Sequence, residues 1–125
     1  MSDALENISR QDLKAKLDRG DDFVLIESLP EEKYREAHLP GALHVSPEEV
    51  QDLDKLADWA AGAIPSKDTD VVVYCADAKC TGSDMTAGRL EELGYTSVAD
   101  YHEGKADWQN AGLPTESGAE EPAAA

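Results

Sequence analysis

The residues of this chain that are best suited to covalent chemistry are its two cysteines, Cys75 and Cys80. Cys75 follows Val71–Tyr74, an unbroken run of β-branched and aromatic residues that is typical of a strand buried on both faces of a parallel sheet. Two cysteines are too few for the disulfide framework of a small secreted protein, and alone they are too few for a four-ligand zinc site. The pattern therefore indicates a functional cysteine pair at the end of a strand.

The segment after the cysteines changes from strand to helix periodicity. Ala87, Leu90 and Leu93 recur at helical spacing, so we predict a helix with Ser83 as its N-cap and Gly94 as its stop. Ligands bind at the carboxyl edge of open α/β sheets, and the N–H groups at a helix N-terminus favour a thiolate and an anionic substrate. We therefore expect the chemistry in the loop between this strand and this helix.

Cys75 is the predicted nucleophile of this loop, although a lone buried cysteine is often just a small apolar residue. Cys80 is either a resolving thiol that forms a transient disulfide with Cys75 or an inert residue, and both alternatives stay open. Lys79 either guides an anionic donor or is a solvated lysine. Asp77 is expected to point outward, since an inward carboxylate would disfavour the thiolate. The predicted substrate-binding loop comprises Ala76, Asp77, Ala78, Lys79, Thr81, Gly82 and Ser83.

The charge composition excludes several classes of partner. The chain has 27 Asp or Glu against 11 Lys or Arg, a formal net charge of −16, which argues against nucleic acid or an anionic membrane surface. This acidity favours a salt-loving source, because salt at 1 M shortens the Debye length to about 3 Å and screens self-repulsion; a basic protein partner is the weaker alternative. The sequence has neither a signal-peptide pattern nor an apolar run of transmembrane length, so we expect a cytoplasmic protein.

The histidines form no motif. His38 precedes a Leu-Pro-Gly turn and is expected to be structural, and His44 and His102 are expected to be packing or surface residues. No metal ion and no organic cofactor is predicted from this arrangement.

The whole chain alternates predicted strands with predicted helices. Strands are expected at Asn7–Ile8, Phe23–Ile26, Ala42–Val45, Val71–Tyr74 and Ser97–Tyr101. One intervening helix is expected to start at a Ser46 N-cap and continue to about Ala61, and a short last helix holds Trp108. The alternation predicts one α/β domain over residues 1–114, with a central, mostly parallel sheet of about five strands flanked by helices. Residues 115–125 are expected to be a disordered acidic and alanine-rich tail.

Three separate pieces of the sequence carry a family resemblance. The first piece is Leu25-Ile26-Glu27 with Glu32, Tyr34 and His38-Leu39-Pro40-Gly41-Ala42. The second is Val73-Tyr74-Cys75 with Ser83, Ala87, Leu90 and Leu93-Gly94-Tyr95, and the third is Gly104, Trp108 and Gly112-Leu113-Pro114. In this order and at these separations they resemble the rhodanese-like family of single-domain sulfurtransferases, from Ile8 to Pro114.

The resemblance implies a rhodanese-type fold and sulfur transfer through a persulfide on Cys75, with a small sulfane donor such as thiosulfate and a thiol or cyanide acceptor. The acceptor could be a protein thiol, and a monomer is favoured. The loop departs from the family's usual one: Ser83 lies eight residues after Cys75 rather than six, the arginine is absent, and Cys80 is extra, as in a minority of members with Cys-x4-Cys. Alternatives are a non-catalytic sulfur-carrier or protein-binding module and, less favoured, arsenate reduction or phosphatase chemistry, since tetrahedral oxyanions normally require an arginine.

Overall fold

Five strands and six helices alternate along residues 6–118, the part of the chain that the computed structural model describes. The strands are β1 (Glu6–Asn7), β2 (Val24–Ser28), β3 (Leu43–Val45), β4 (Val71–Tyr74) and β5 (Val98–Tyr101). The helices are α1 (Arg10–Arg19), α2 (Glu31–Glu36), α3 (Pro47–Gln51), α4 (Leu53–Ala63), α5 (Gly82–Glu92) and α6 (Gly104–Asn110). None of these helices is long and apolar enough to cross a membrane.

All five strands form one parallel sheet in the order β1-β5-β4-β2-β3. β4 is central, pairing with β2 on one side and β5 on the other. Because every strand points the same way, the loops after β2, β4 and β5 meet at one edge of the sheet. The predicted α/β class with about five parallel strands is confirmed.

Helices cover both faces of the sheet, and β4 shows how its side chains divide between them. Val71 and Val73 pack in one core with residues of α3, α4 and α5, while Val72 and Tyr74 pack in a second core with residues of α1, α2 and α6. Successive strand residues point to opposite faces, so an unbroken apolar run is needed where both faces are covered. Cys75 is the next residue after this alternation.

Local capping signals set the start of three helices, α1, α3 and α4. Ser9 caps α1 by accepting a hydrogen bond from the Asp12 N–H, and Gly20 ends that helix in the left-handed conformation. Ser46 and Glu49 form a capping box at the start of α3. The predicted start of this helix at the Ser46 N-cap is confirmed.

The single helix predicted from residue 47 to about residue 61 is wrong, because the segment forms two helices. Asp52 adopts an extended conformation between α3 and α4, and its carboxylate accepts hydrogen bonds from the N–H groups of Asp54 and Lys55. An aspartate that caps a new helix interrupts the old one. Both helices turn an apolar stripe toward the same core. The apolar spacing along the sequence therefore continues across Asp52 and gave no sign that the helix is interrupted there.

The predicted tail, residues 115–125, lies partly within the described chain. Glu116 exchanges two backbone hydrogen bonds of 2.8 Å with His38, forming an antiparallel bridge, and its carboxylate accepts a bond from the Gly41 N–H. Residues 119–125 lie outside the described residues. The first predicted strand, Asn7–Ile8, is observed one residue earlier, as Glu6–Asn7.

Candidate functional site

Cys75 lies directly after the central strand, as predicted, and only 1% of its surface is exposed. Its backbone carbonyl accepts a 2.9 Å hydrogen bond from the Lys105 N–H, and the Ala76 carbonyl accepts a 2.8 Å bond from the Ala106 N–H. The first turn of α6 therefore anchors the start of the loop through the backbone.

Gly104 makes this anchor possible. Its φ is +75°, and a Cβ atom there would lie 2.7 Å from the Cys75 carbonyl oxygen and 2.8 Å from the Asp77 nitrogen. Both the left-handed backbone and the close approach exclude a side chain. The requirement for glycine at this position follows from the loop that it touches.

The two cysteines are joined by a disulfide, with their Cα atoms 6.1 Å apart. Between them the chain folds as a turn, because the Asp77 backbone carbonyl accepts from the Cys80 N–H at 3.1 Å and its carboxylate accepts from the Lys79 N–H at 3.0 Å. Asp77 is exposed, as expected, and the loop residues Ala78, Lys79 and Thr81 are exposed as well. The structure therefore places the sulfur atom of Cys80 against the predicted nucleophile.

The first residue of α5 lies against both sulfur atoms. A Cβ atom at Gly82 would be 3.3 Å from Cys75 Sγ and 3.6 Å from Cys80 Sγ. This contact brings Cys75 to a helix N-terminus, whose unpaired N–H groups and dipole favour negative charge.

Two of the predicted loop residues belong to α5 instead. The helix begins at Gly82, with Thr81 as the N-cap residue, so Ser83 is neither the N-cap nor part of the loop. Ser83 is buried in the first helical turn. Because Gly82 has no side chain, the two sulfur atoms can pack against the first residue of the helix. The helix therefore starts one residue before Ser83, although Ser83 has the better capping side chain.

A cleft of about 240 Å³ opens beside the sulfur atoms. Its lining combines the two cysteines with the loop after β2, α3 and the start of α5: Ser28, Leu29, Pro30, Pro47, Val50, Gln51, Cys75, Cys80, Gly82 and Met85. This set contains no charged side chain, and Lys79 is outside it. Met85, which is 47% exposed, lies at the open side. The cleft can hold a small, largely uncharged molecule next to Cys75.

A buried polar network lies beneath the loop, and the sequence analysis missed it. Glu27 is fully buried and accepts hydrogen bonds from Tyr74 at 2.6 Å and from the Lys105 ammonium group at 2.9 Å. Lys105 also donates to the Lys33 and Ala37 carbonyls, and the Tyr74 hydroxyl accepts from the Leu39 N–H. Burial, reinforced by the Glu27 charge, raises the pKa of Tyr74 well above its usual value. The sequence feature that could have revealed this network was a glutamate, Glu27, at the end of an apolar strand.

A second polar cluster lies at the same edge of the sheet and contains Asp84, Asp100 and His102. Asp100 is 1% exposed, whereas Asp84 and His102 are exposed. Burial, followed by a hydrogen bond to Asp84, raises the pKa of Asp100 to about 7, while a hydrogen bond to Ser83 lowers it. Neither carboxylate was predicted as a site residue.

His38 is structural, as the sequence analysis expected. It is 1% exposed, its ring stacks on Tyr34 with centroids 3.9 Å apart, and its Nδ1 atom is 2.8 Å from the Tyr34 carbonyl. These contacts hold His38 as part of the packing around α2.

Residues 9–111 match the model of the rhodanese-like domain. The chain belongs to the rhodanese-like domain family. A curated relative, an HTH-type transcriptional regulator of Mycobacterium tuberculosis, is 30% identical over 112 residues. That match covers 90% of this chain but only 45% of the regulator, so this chain spans less than half the length of that relative.

Solved structures of other proteins share the fold. A Bacillus halodurans protein superposes with a TM-score of 0.79 at 20% identity, covering 91% of this chain and 78% of its own. The human single-domain sulfurtransferase superposes with a TM-score of 0.68 at 18% identity, covering 83% of this chain and 95% of its own. At these identities the similarity establishes the architecture alone, and sulfurtransferases are among the proteins that have it.

Proposed function

We propose that this domain is a sulfurtransferase that carries sulfane sulfur as a persulfide on Cys75. The observation that carries the proposal is the place of Cys75 Sγ, against the first residue of a helix and beside an open cleft at the carboxyl edge of the sheet. A nucleophilic thiol needs a setting that favours its thiolate and a space for the donor, and the helix N-terminus and the cleft support these two roles. The family membership and the sulfurtransferase among the structural neighbours support the same chemistry.

The first step is attack of the Cys75 thiolate on the outer sulfur of a sulfane donor. With thiosulfate, the new bond joins Cys75 Sγ to that sulfur, the donor S–S bond breaks, and sulfite leaves with the electron pair. The N–H groups at the start of α5 stabilise the negative charge of the persulfide. A thiolate or cyanide acceptor then attacks the outer sulfur and releases the Cys75 thiolate, so no metal or organic cofactor enters the cycle.

Cys80 provides a second way to discharge the persulfide. Its thiolate attacks Cys75 Sγ, the bond to the outer sulfur breaks, and that sulfur leaves as hydrosulfide after taking up one proton. The product is the Cys75–Cys80 disulfide, the arrangement found in the structure. Two equivalents of an external thiol must then reduce the disulfide before the next cycle. We propose that this makes Cys80 a resolving thiol.

The cleft favours donors and acceptors of low charge. Its lining contains no cation, the arginine usual in the family's loop is absent, and the chain carries a net charge of −16. We therefore propose that thiosulfate serves as a donor with a high KM, and that a sulfane donor with an uncharged organic group binds more tightly. Lys79 is exposed in the loop, where it attracts an anion only from solvent.

A second candidate function is a non-catalytic module that senses sulfane sulfur or oxidant through the Cys75–Cys80 pair. The related transcriptional regulator favours this alternative, since about half of that protein matches this chain. The candidates differ in turnover: a carrier or sensor forms one persulfide or disulfide per chain, whereas an enzyme produces many equivalents of product.

The test is steady-state formation of thiocyanate from cyanide under reducing conditions, with thiosulfate and with an uncharged organic trisulfide as donors. We expect turnover with both donors, a lower KM for the trisulfide, and no turnover in Cys75→Ser. The matched control is Asp58→Asn, an exposed substitution on α4 outside the loop and the cleft, which should leave the rate unchanged. Product that stops at one equivalent per chain would favour the non-catalytic module.

We also propose that the domain works as a monomer in the cytoplasm of a salt-loving organism, without nucleic acid or membrane partners. The charge of −16 supports this setting, because concentrated salt screens the repulsion among exposed carboxylates. A reducing cytoplasm would also keep the Cys75–Cys80 disulfide transient.

A further inference from the structure

We propose that Asp84, Asp100 and His102 form a binding site for one divalent transition-metal cation of the Zn²⁺ or Mn²⁺ type. The three residues come from two elements that pack together: Asp84 lies in the first turn of α5, Asp100 lies in β5, and His102 directly follows β5. None of them lines the cleft beside Cys75. This site is therefore separate from the proposed sulfur-transfer chemistry and does not depend on it.

The geometry brings three metal-binding groups to one point. One ligand atom from each of the three side chains lies within 4.8 Å of the other two. A cation at the centre of such a group, at bond lengths of about 2.0–2.2 Å, needs only small side-chain rotations to reach all three. Asp100 is on a strand and Asp84 is in a helix, so the backbone already holds two of the three ligands in place.

An unpartnered buried oxygen atom is the independent sign of a ligand. Asp100 is 1% exposed, and its Oδ1 atom is buried without a hydrogen-bond partner. Buried carboxylate oxygens normally have partners, because losing water without replacement is unfavourable. Asp84, a second carboxylate, faces Asp100 from α5 and disfavours its negative charge, and the hydrogen bond to Ser83 and the charge of His102 offset this only in part. A cation bound between the two carboxylates would satisfy both.

The donor set indicates the class of cation. Two carboxylates and one imidazole combine hard oxygen ligands with a nitrogen ligand, a mixture that suits Zn²⁺ and Mn²⁺ better than Ca²⁺ or Mg²⁺, which prefer oxygen alone. Asp84 and His102 are exposed, so the cation has a path from solvent and water can complete its coordination.

The experiment is calorimetric titration of the oxidised protein with Zn²⁺, in concentrated KCl. The disulfide keeps the two thiols from binding the metal, and the salt suppresses diffuse attraction to the acidic surface. We expect saturable binding of one cation per chain. Asp100→Asn and His102→Ala should each weaken that binding by about tenfold or more, and Asp77→Asn, which removes an exposed carboxylate outside the cluster, should not.

His102 is exposed, so His102→Ala should retain the fold, and circular dichroism of each variant checks this. In the wild type, Zn²⁺ should shift the imidazole resonances of His102 and leave those of His44 unchanged. Absence of saturable binding would overturn the proposal and leave a proton shared between the two carboxylates as the explanation of the cluster. Binding that is equally tight in wild type, Asp100→Asn and His102→Ala would also overturn it.

Discussion

Two polar clusters lie at the carboxyl edge of the same sheet, and they differ in how their charges are satisfied. In the first, buried Glu27 has partners for both carboxylate oxygens, from Tyr74 and Lys105. In the second, buried Asp100 faces another carboxylate and keeps one oxygen unpartnered. The first arrangement is complete without any ligand and holds the strand end before Cys75. The second is complete only with a proton or a cation.

The largest expected effect comes from breaking the complete cluster. Lys105→Met leaves the Glu27 carboxylate buried without its cation, which we expect to destabilise the protein by about 3–5 kcal/mol. Urea unfolding measures this change. The control Lys79→Met, at an exposed loop position, should stay within about 0.5 kcal/mol of wild type. The double variant Glu27→Gln/Lys105→Met should recover part of the loss, and a loss of less than about 1 kcal/mol in Lys105→Met would contradict the account.

Asp100→Asn should stabilise the protein, whereas Lys105→Met should destabilise it. Because the folded pKa of Asp100 is about 7 and the unfolded value is near 3.8, the folded state binds more protons between these values, and stability falls as the pH rises through them. Asparagine removes this penalty and can donate a hydrogen bond to Asp84. We expect chelator-treated Asp100→Asn to be about 2–4 kcal/mol more stable than wild type at pH 8, with little difference at pH 4.

Unfolding of both proteins across this pH range provides the measurement. A wild-type stability that does not fall between pH 4 and pH 7 more steeply than that of Asp100→Asn would show that the buried carboxylate is already compensated. The comparison between the two clusters would then fail.

Tyr74→Phe tests whether the first cluster is complete. The substitution removes one hydroxyl that donates to Glu27 and accepts from the Leu39 N–H, so two buried groups lose their partner. We expect a cost of about 1–3 kcal/mol, measured by urea unfolding. A neutral result would mean that Glu27 and the Leu39 N–H have other partners.

The smallest effect concerns salt. Raising KCl from 0.1 M to 2 M should stabilise the wild type by screening its exposed carboxylates, but the cost of Lys105→Met should change by less than about 0.5 kcal/mol, because a buried pair is screened little. Unfolding midpoints at the two salt concentrations measure both quantities. A cost that disappears at high salt would place the Glu27–Lys105 pair in contact with solvent.

Local sequence patterns predicted the strands and helices of this protein better than they predicted its polar clusters. The run Val71–Tyr74 and the apolar spacing after it were enough to place Cys75 between a strand and a helix, because both signals lie within a few residues of each other. Glu27 and Lys105 are 78 positions apart in the chain, and periodicity cannot pair them. Their contact depends on how β2 and α6 pack.

Errors at single residues have similar physical causes. Ser83 has the better capping side chain, yet the helix starts at Gly82, where the sulfur atoms of the loop pack tightly against a residue without a side chain. Asp52 was counted in one long helix, although a carboxylate at that point can cap a new one. In both cases a specific contact outweighed the average preference of the segment.

The most direct test of the central proposal is peptide-mapped mass spectrometry of the reduced protein after a single exposure to a sulfane donor. We expect a mass increase of one sulfur atom on the peptide that contains Cys75. The modification should be longer-lived in Cys80→Ser than in wild type, because the resolving thiol is gone, and it should be absent in Cys75→Ser. Added sulfur on Cys80 alone, or none on either cysteine with any sulfane donor, would contradict the account.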